Sequence, residues 1–266
     1  MIADLSFRPV PEIVAGVIVL LGSYLYAISP WNAERPIPAE RWRVVAFLAG
    51  TLVIFAALHP PIDTLGEAHF SMHMTQHVML TFIGVPLCLV GLPPWLIAPI
   101  LRSPRLRQIV KGVTRLPVAF LVGPGVYWFW HAPTMYQWAL ENRVTHDLQH
   151  ITIVLGAVVM WWPALIRVSA LGAAREPLQL LYLLLLMVPA GVLTSVLVLA
   201  DEPFYAWYTT APRLWDISPL DDQRLGGLIM KITGTVVIWG LASIYFFRWM
   251  AREEAPALPL QSRTAR

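Results

Sequence analysis

Charged residues are few in this chain: Asp, Glu, Lys and Arg make up 13% of its 266 residues, against roughly a quarter of an ordinary soluble domain. That shortage excludes an ordinary water-facing surface. Cysteine is scarcer still, and the lone Cys88 rules out both an intramolecular disulfide and a Cys-pair metal site. The polar connections hold no Gly-rich phosphate cradle and no nucleophile set beside a base, so neither nucleotide binding nor nucleophilic catalysis has a foothold. A soluble domain is missing too, since the longest connection is about 25 residues.

What the chain has instead is apolar bulk: 57% hydrophobic residues, 12 Trp and a mean hydropathy of +0.62. Seven apolar segments, 10–28, 43–59, 70–92, 113–131, 147–166, 177–200 and 225–248, each come near the roughly 20 residues that cross a bilayer. The expected fold class is all-α, a polytopic membrane protein of seven transmembrane helices in one integral domain, 1–266. The stretch from Pro93-Pro94-Trp95 to Leu101 is too short to span and is expected at the interface. Asp4 beside Arg8 denies the first segment the positive flank of a signal peptide, and no A-x-A site follows Ile28, so it reads as a retained helix.

Connections alternate between the two sides of the membrane. The loops 29–42, 93–112 and 167–176 and the C-terminal tail carry Arg35, Arg41, Arg43, Arg102, Arg105, Arg107, Lys111, Arg167, Arg175, Arg248, Arg252, Arg263 and Arg266, with Arg115 at the start of span four. The opposite set carries only Arg8, Arg143, Arg213 and Arg224. The positive-inside rule then puts the N-terminus outside and the C-terminus in the cytoplasm. All seven histidines fall on the outer side, among Asp63, Glu67, Glu141, Asp147, Asp201, Glu202, Asp216, Asp221 and Asp222. These acids balance the basic inner loops but leave the histidines unexplained. The basic stretch 102–115 suits anionic lipid headgroups; nucleic acid has no support beyond charge.

The histidines are patterned. His59, ending span two, is followed after thirteen residues by His73-Met74-Thr75-Gln76-His77; His131, ending span four, is followed after fourteen by His146-Asp147-Leu148-Gln149-His150. Both exits carry proline, in His59-Pro60-Pro61 and His131-Ala132-Pro133. The hairpins 43–92 and 113–166 thus read as two copies of one unit. A third, 177–248, reads as a degenerate copy that exits at Asp201-Glu202-Pro203 and re-enters at Asp221-Asp222-Gln223.

Residues four apart share a helix face, so His73 and His77 can converge on one ion, and so can His146 and His150. His69 stands one turn earlier, while His59 and His131 can complete the site or serve a second. Imidazole is the commonest transition-metal ligand and a proton carrier near neutral pH. Without thiolate, copper, zinc or iron fit, and hard-ion cages do not. The competing reading is structural: histidines that hydrogen-bond across helices as polar glue. A lone histidine favours that reading; two i,i+4 pairs in repeated context favour ligand or relay roles.

Gln76 and Gln149 read as interhelical hydrogen bonds or as donors behind the ligands. Asp147 reads as the N-terminal cap of span five or as an orienter of His150. Met72, Met74, Met79 and Met135 read as apolar packing, although thioether would suit cuprous copper. Lys231, about two turns inside span seven, is either a functional cation or a snorkelling one, and Cys88 is a small buried side chain.

The strings HMTQHVMLTFIGVPLCLVGLPPWL, WHAPTMYQWALENRVTHDLQHITIVLGAVVMWWP and DDQRLGGLIMK resemble the polytopic CtaG family of cytochrome c oxidase assembly factors. This is the multispan type associated with caa-type oxidases, and the likeness runs through spans two to seven. It implies a non-enzymatic role in oxidase maturation in a bacterial plasma (inner) membrane, with an oxidase subunit in that membrane as partner. It also implies holding or delivering copper for the copper–haem centre. The motif positions it carries are His73, His77, His146, His150, His131 and Asp222-Gln223; with one cysteine, no thiolate transfer chemistry comes with them. Two other readings stand beside it: a haem b protein with one axial histidine from span three and one from span five, and a proton-coupled transporter with a histidine relay and Lys231.

Overall fold

The computed structural model describes residues 6–32, 36–166 and 176–254. Arg35, Arg167, Arg175, Arg263 and Arg266, counted above among the inner-side charges, lie outside these residues. Among the described residues every regular element is helical. The apolar segments become α1 (Pro11–Ile28), α2 (Arg41–Ala57), α4 (Phe70–Gly91), α6 (Leu116–His131), α8 (Arg143–Leu165), α9 (Glu176–Val198) and α10 (Pro219–Glu253). Between them lie α3 (Ile62–Ala68), α5 (Pro104–Val113) and α7 (Pro133–Glu141). Helices α1, α4, α8, α9 and α10 are each long and apolar enough to cross a bilayer; α2 with α3, bent by 42°, and α5 with α6, bent by 67°, qualify as pairs. The described residues therefore hold five candidate spans, or up to seven when each bent pair counts as one.

Local sequence sets these boundaries. Proline stands at the first positions of α1, α5, α7 and α10, where its missing N–H is no loss and its fixed φ suits a helix start. Ser218 adds a side-chain cap to α10, accepting from the Asp221 amide at 3.1 Å. Inside α4, Pro86 cannot donate to the carbonyl four residues back and would crowd it. The helix widens just before it into a π turn, Met79–Gly84, a form that accommodates such a break. The Trp161 indole of α8 donates to the Thr81 carbonyl at 2.8 Å, so the widened turn is also pinned from outside.

Packing depends on close approach, as expected where lipid removes the hydrophobic drive between helices. At Gly50 of α2 a Cβ would lie 2.7 Å from both the Cys88 amide nitrogen and the Gly84 carbonyl oxygen. At Gly226 of α10 it would lie 2.5 Å from the Phe70 ring. One apolar core gathers Leu89, Ala119, Trp161, Leu183 and Ile238; another, at the histidine end, gathers Phe70, Met74, Tyr136, Leu197, Tyr205 and Tyr208. Helix α1 is the outlier. Its sole buried residue is Tyr24, which stacks on Phe47 at 3.8 Å and donates to the Gly91 carbonyl at 3.0 Å.

The proline-bearing exits of α2 and α6 are more than turns. Each carries a short helix, α3 or α7, and each ends in one extended residue, His69 or Asn142, with φ −134° in both. The histidine-bearing helices α4 and α8 then begin. This elbow, and not the transmembrane spacing alone, sets where the imidazoles enter the bundle.

Candidate metal centre

Helix α8 starts on its own cap: the Asn142 carboxamide accepts from the Thr145 amide at 3.1 Å. Asp147, expected in that role, lies instead on an exposed face paired with Arg143 at 3.1 Å. Helix α4 is capped from another element. The Asp222 carboxylate of α10, fully buried, accepts from the amides of Phe70 at 2.8 Å and Ser71 at 3.2 Å. An anion at a helix N-terminus meets its unpaired amides and the positive end of its dipole. Asp222 thus fixes the first turn of the helix that carries His73 and His77.

Four imidazoles meet between α4 and α8. His73 and His77 face each other with Nε2 atoms 2.8 Å apart, so one ring donates and the other accepts. His146 and His150 have ring centroids 4.4 Å apart. Across the helices, His73 lies 5.6 Å from His146 and 5.9 Å from His150, and His77 lies 5.4 Å from His150, centroid to centroid. His73, His146 and His150 each offer a nitrogen within 4.8 Å of the other two. With metal–nitrogen bonds of about 2.0–2.1 Å, tetrahedral ligands sit about 3.3 Å apart, so modest side-chain rotation closes these three around one ion. The His150 Nε2 and His77 Nδ1 atoms are buried with no hydrogen-bond partner, which is the condition of a donor set that a cation would satisfy.

The remaining histidines separate. His131 joins the cluster's edge: its ring lies 5.9 Å from that of His77, and its Nε2 lies 3.3 Å from the Met74 sulfur. His59 does not join. It sits between Phe55 and Phe7, with centroids at 4.1 and 5.6 Å, and its Nδ1 bonds the Phe55 carbonyl at 2.8 Å. His69, expected on the His73 face, is turned away by its extended backbone. It stacks on Trp215 at 3.8 Å, accepts from the Leu214 amide at 3.2 Å, and lies 3.6 Å from Asp222.

The glutamines have unequal surroundings. The Gln76 amide donates to the Ala57 carbonyl and to Asp63, both at 2.9 Å. Gln223 donates to the Leu197 carbonyl at 3.2 Å and accepts from the Phe204 amide at 2.7 Å. Gln76 ties α4 to the end of α2, and Gln223 ties α10 to the end of α9. Gln149 is equally buried but has no side-chain partner. Lys231 is exposed on α10 beside Ile232, away from the cluster, and Cys88 contacts Thr51 at 3.8 Å.

Sequence reasoning missed a tyrosine lid. Tyr136, Tyr205 and Tyr208 are buried over the histidines with Phe70. The Tyr136 and Tyr208 hydroxyls are 3.1 Å apart, Tyr208 donates to the Gly66 carbonyl at 2.9 Å, and Tyr205 donates to that of His131 at 3.0 Å. Burial pushes all three phenols well above the ordinary tyrosine range, so they remain neutral donors. Their signal in the sequence was only proximity: Tyr136 lies between the second set's histidines, and Tyr205 and Tyr208 follow Asp201-Glu202-Pro203.

On the other side the cluster opens. A vestibule of about 620 Å³ is lined by His146 and His150, by Asp63, Asp147 and Arg143, and by Glu12 at the start of α1. Its wall carries two imidazoles and three carboxylates against the single Arg143 guanidinium, a net negative lining that favours cations. The donors fit copper, zinc or iron.

The profile of the cytochrome c oxidase caa3 assembly factor family (Caa3_CtaG) matches residues 22–252. The match takes in every histidine, the tyrosine lid and Asp222, and leaves Glu12 of the vestibule rim outside it. No curated protein and no solved structure matches the chain.

Proposed function

We propose that this chain, which belongs to the Caa3_CtaG family of cytochrome c oxidase assembly factors, serves assembly by holding copper in its histidine cluster and passing it to an oxidase subunit in the same membrane. The observation that carries the reading is the meeting of His73, from one helix, with His146 and His150 of another, the latter two lining an acid-rimmed vestibule. His77 is the fourth nitrogen of the set. The role is non-enzymatic: the ion is cargo, and no bond of a substrate is made or broken. With the N-terminus outside, as the loop charges favour, the vestibule opens to the periplasmic face of a bacterial inner membrane.

The test pairs the oxidase with the isolated protein. Cells producing the His73→Ala/His146→Ala variant should assemble oxidase depleted of copper, and the purified variant should hold less copper than the wild type. Full oxidase copper in cells making the variant would sink the proposal. A Soret band in the purified wild-type protein would move the reading to bis-histidine haem.

A further inference from the structure

His131 and Met74 stand apart from the set just described, and their chemistry differs from it. His131 Nδ1 lies 2.7 Å from the Tyr127 carbonyl oxygen. A carbonyl only accepts, so Nδ1 carries the hydrogen. In the neutral ring that leaves Nε2 bare, with its lone pair in the ring plane. The atom 3.3 Å from Nε2 is the thioether sulfur of Met74, which has lone pairs and no hydrogen to offer. Two electron-pair donors thus face each other without a proton between them. Met74 is fully buried and His131 nearly so, so water does not separate them. A protonated ring would fill the gap, but a charge inside the membrane bundle is costly.

A metal cation resolves the same confrontation by accepting from both atoms. With metal–ligand bonds of about 2.0–2.3 Å, donors 3.3 Å apart subtend roughly 100° at one ion. A third donor is adjacent: His77, whose ring centroid lies 5.9 Å from that of His131, keeps Nδ1 buried and unpartnered. Its other nitrogen, Nε2, already meets His73 at 2.8 Å.

We propose that His77, His131 and Met74 form a second cation station, beside the nitrogen-only station of His73, His146 and His150, and that it takes cuprous copper. The inference rests on the copper reading above and refines it. Thioether is a soft ligand that favours Cu(I) over zinc, whereas imidazole alone accepts either. The two stations share the His77 side chain as their boundary. One lies at the vestibule floor and the other against the aromatic core of Phe70 and Tyr136. The arrangement makes the inner station the selective one.

The experiment uses the purified full chain in detergent, titrated with Cu(I) against a chromophoric chelator, with Ag(I) as a soft ion that does not change oxidation state, and with Zn(II). X-ray absorption of the Cu(I)-loaded wild type should show a sulfur neighbour, and Met74→Leu should lose it. The same variant should weaken Cu(I) and Ag(I) binding at the inner station at least about tenfold, the scale on which even outer partners matter to a metal site, and leave Zn(II) binding unchanged. His131→Asn, whose amide can still donate to the Tyr127 carbonyl, should give the same soft-ion loss and guards against a packing defect peculiar to Met74. A nitrogen-only copper shell in the wild type, or unchanged sulfur and soft-ion affinity in Met74→Leu, would overturn the second station while leaving the first intact. Absence of all Zn(II) and Cu(I) binding would overturn both.

Discussion

The two histidine hairpins share their parts and differ in what those parts touch. His59 and His131 each bond the carbonyl four residues back and pack on that residue's ring, Phe55 or Tyr127, at centroid distances of 4.1 and 4.9 Å. Past that point they diverge. The second nitrogen of His59 faces no partner beside its phenylalanines, while that of His131 faces Met74. His69 and Asn142 hold the same extended position before the next helix, yet His69 is locked under Trp215 and Asn142 is exposed. Gln76 donates twice while its oxygen stays unpartnered, and Gln149 bonds through neither side-chain atom. The first hairpin is fastened by polar contacts to α10 and to its own elbow, and the second supplies most of the polar vestibule wall. One copy is tied down beside the cluster, while the other supplies its imidazoles to the vestibule wall.

The largest expected effect strikes the fastened copy at its cap. Asp222→Ala leaves the Phe70 and Ser71 amides without acceptors inside the protein, and should lower stability in detergent by about 3 kcal/mol. The corresponding change in the other copy, Asn142→Ala, should cost only about 1 kcal/mol, the usual value of an N-cap. Equal losses from the two variants, read from thermal unfolding of the metal-free protein, would erase the asymmetry. Asp222→Ala should also weaken metal binding, since His73 lies in the first turn it anchors and His77 one turn beyond.

The glutamines sharpen the contrast at a smaller scale. Gln76→Leu removes donors from the Ala57 carbonyl and Asp63 and should cost about 1–2 kcal/mol. Gln149→Leu deletes a buried amide that satisfies nothing, so its unfolding midpoint should stay level or rise. A marked drop for Gln149→Leu would show that the amide has a partner in the working protein. Smallest of all, His59→Phe should leave Cu(I) and Zn(II) stoichiometry unchanged, because His59 sits among phenylalanines and outside the cluster. Loss of an equivalent would return His59 to the site.

Most of the bundle was legible because hydropathy and proline are local signals. The apolar runs are long, although they do not give the helix starts at Pro133 and Pro219: the last span, expected from 225, begins six residues earlier. The i,i+4 histidine pairs were legible for the same reason, since one helix face decides them. Most of what escaped depended on partners distant in sequence. Nothing near Phe70 reveals that Asp222, 152 residues on, supplies its acceptor, whereas the Asn142 cap was a local signal, three residues from the Thr145 amide, passed over in favour of Asp147. Met74 read as packing and does lie in the apolar core, but its approach to His131 Nε2 was invisible from its own neighbours in sequence. His69 kept the helical spacing but not the helical backbone, and one extended residue carried it from the cluster to Trp215.

The central claim is that imidazoles from two different helices hold one ion together. Metal analysis of the purified protein after loading with Cu(I) and removal of excess tests it most directly, comparing wild type with His73→Ala and His146→Ala taken singly. The account predicts bound copper in the wild type and a comparable loss from either single variant, one on α4 and one on α8, with the fold preserved in both. Copper retained in full by both variants, or no bound copper in the wild type, would contradict it.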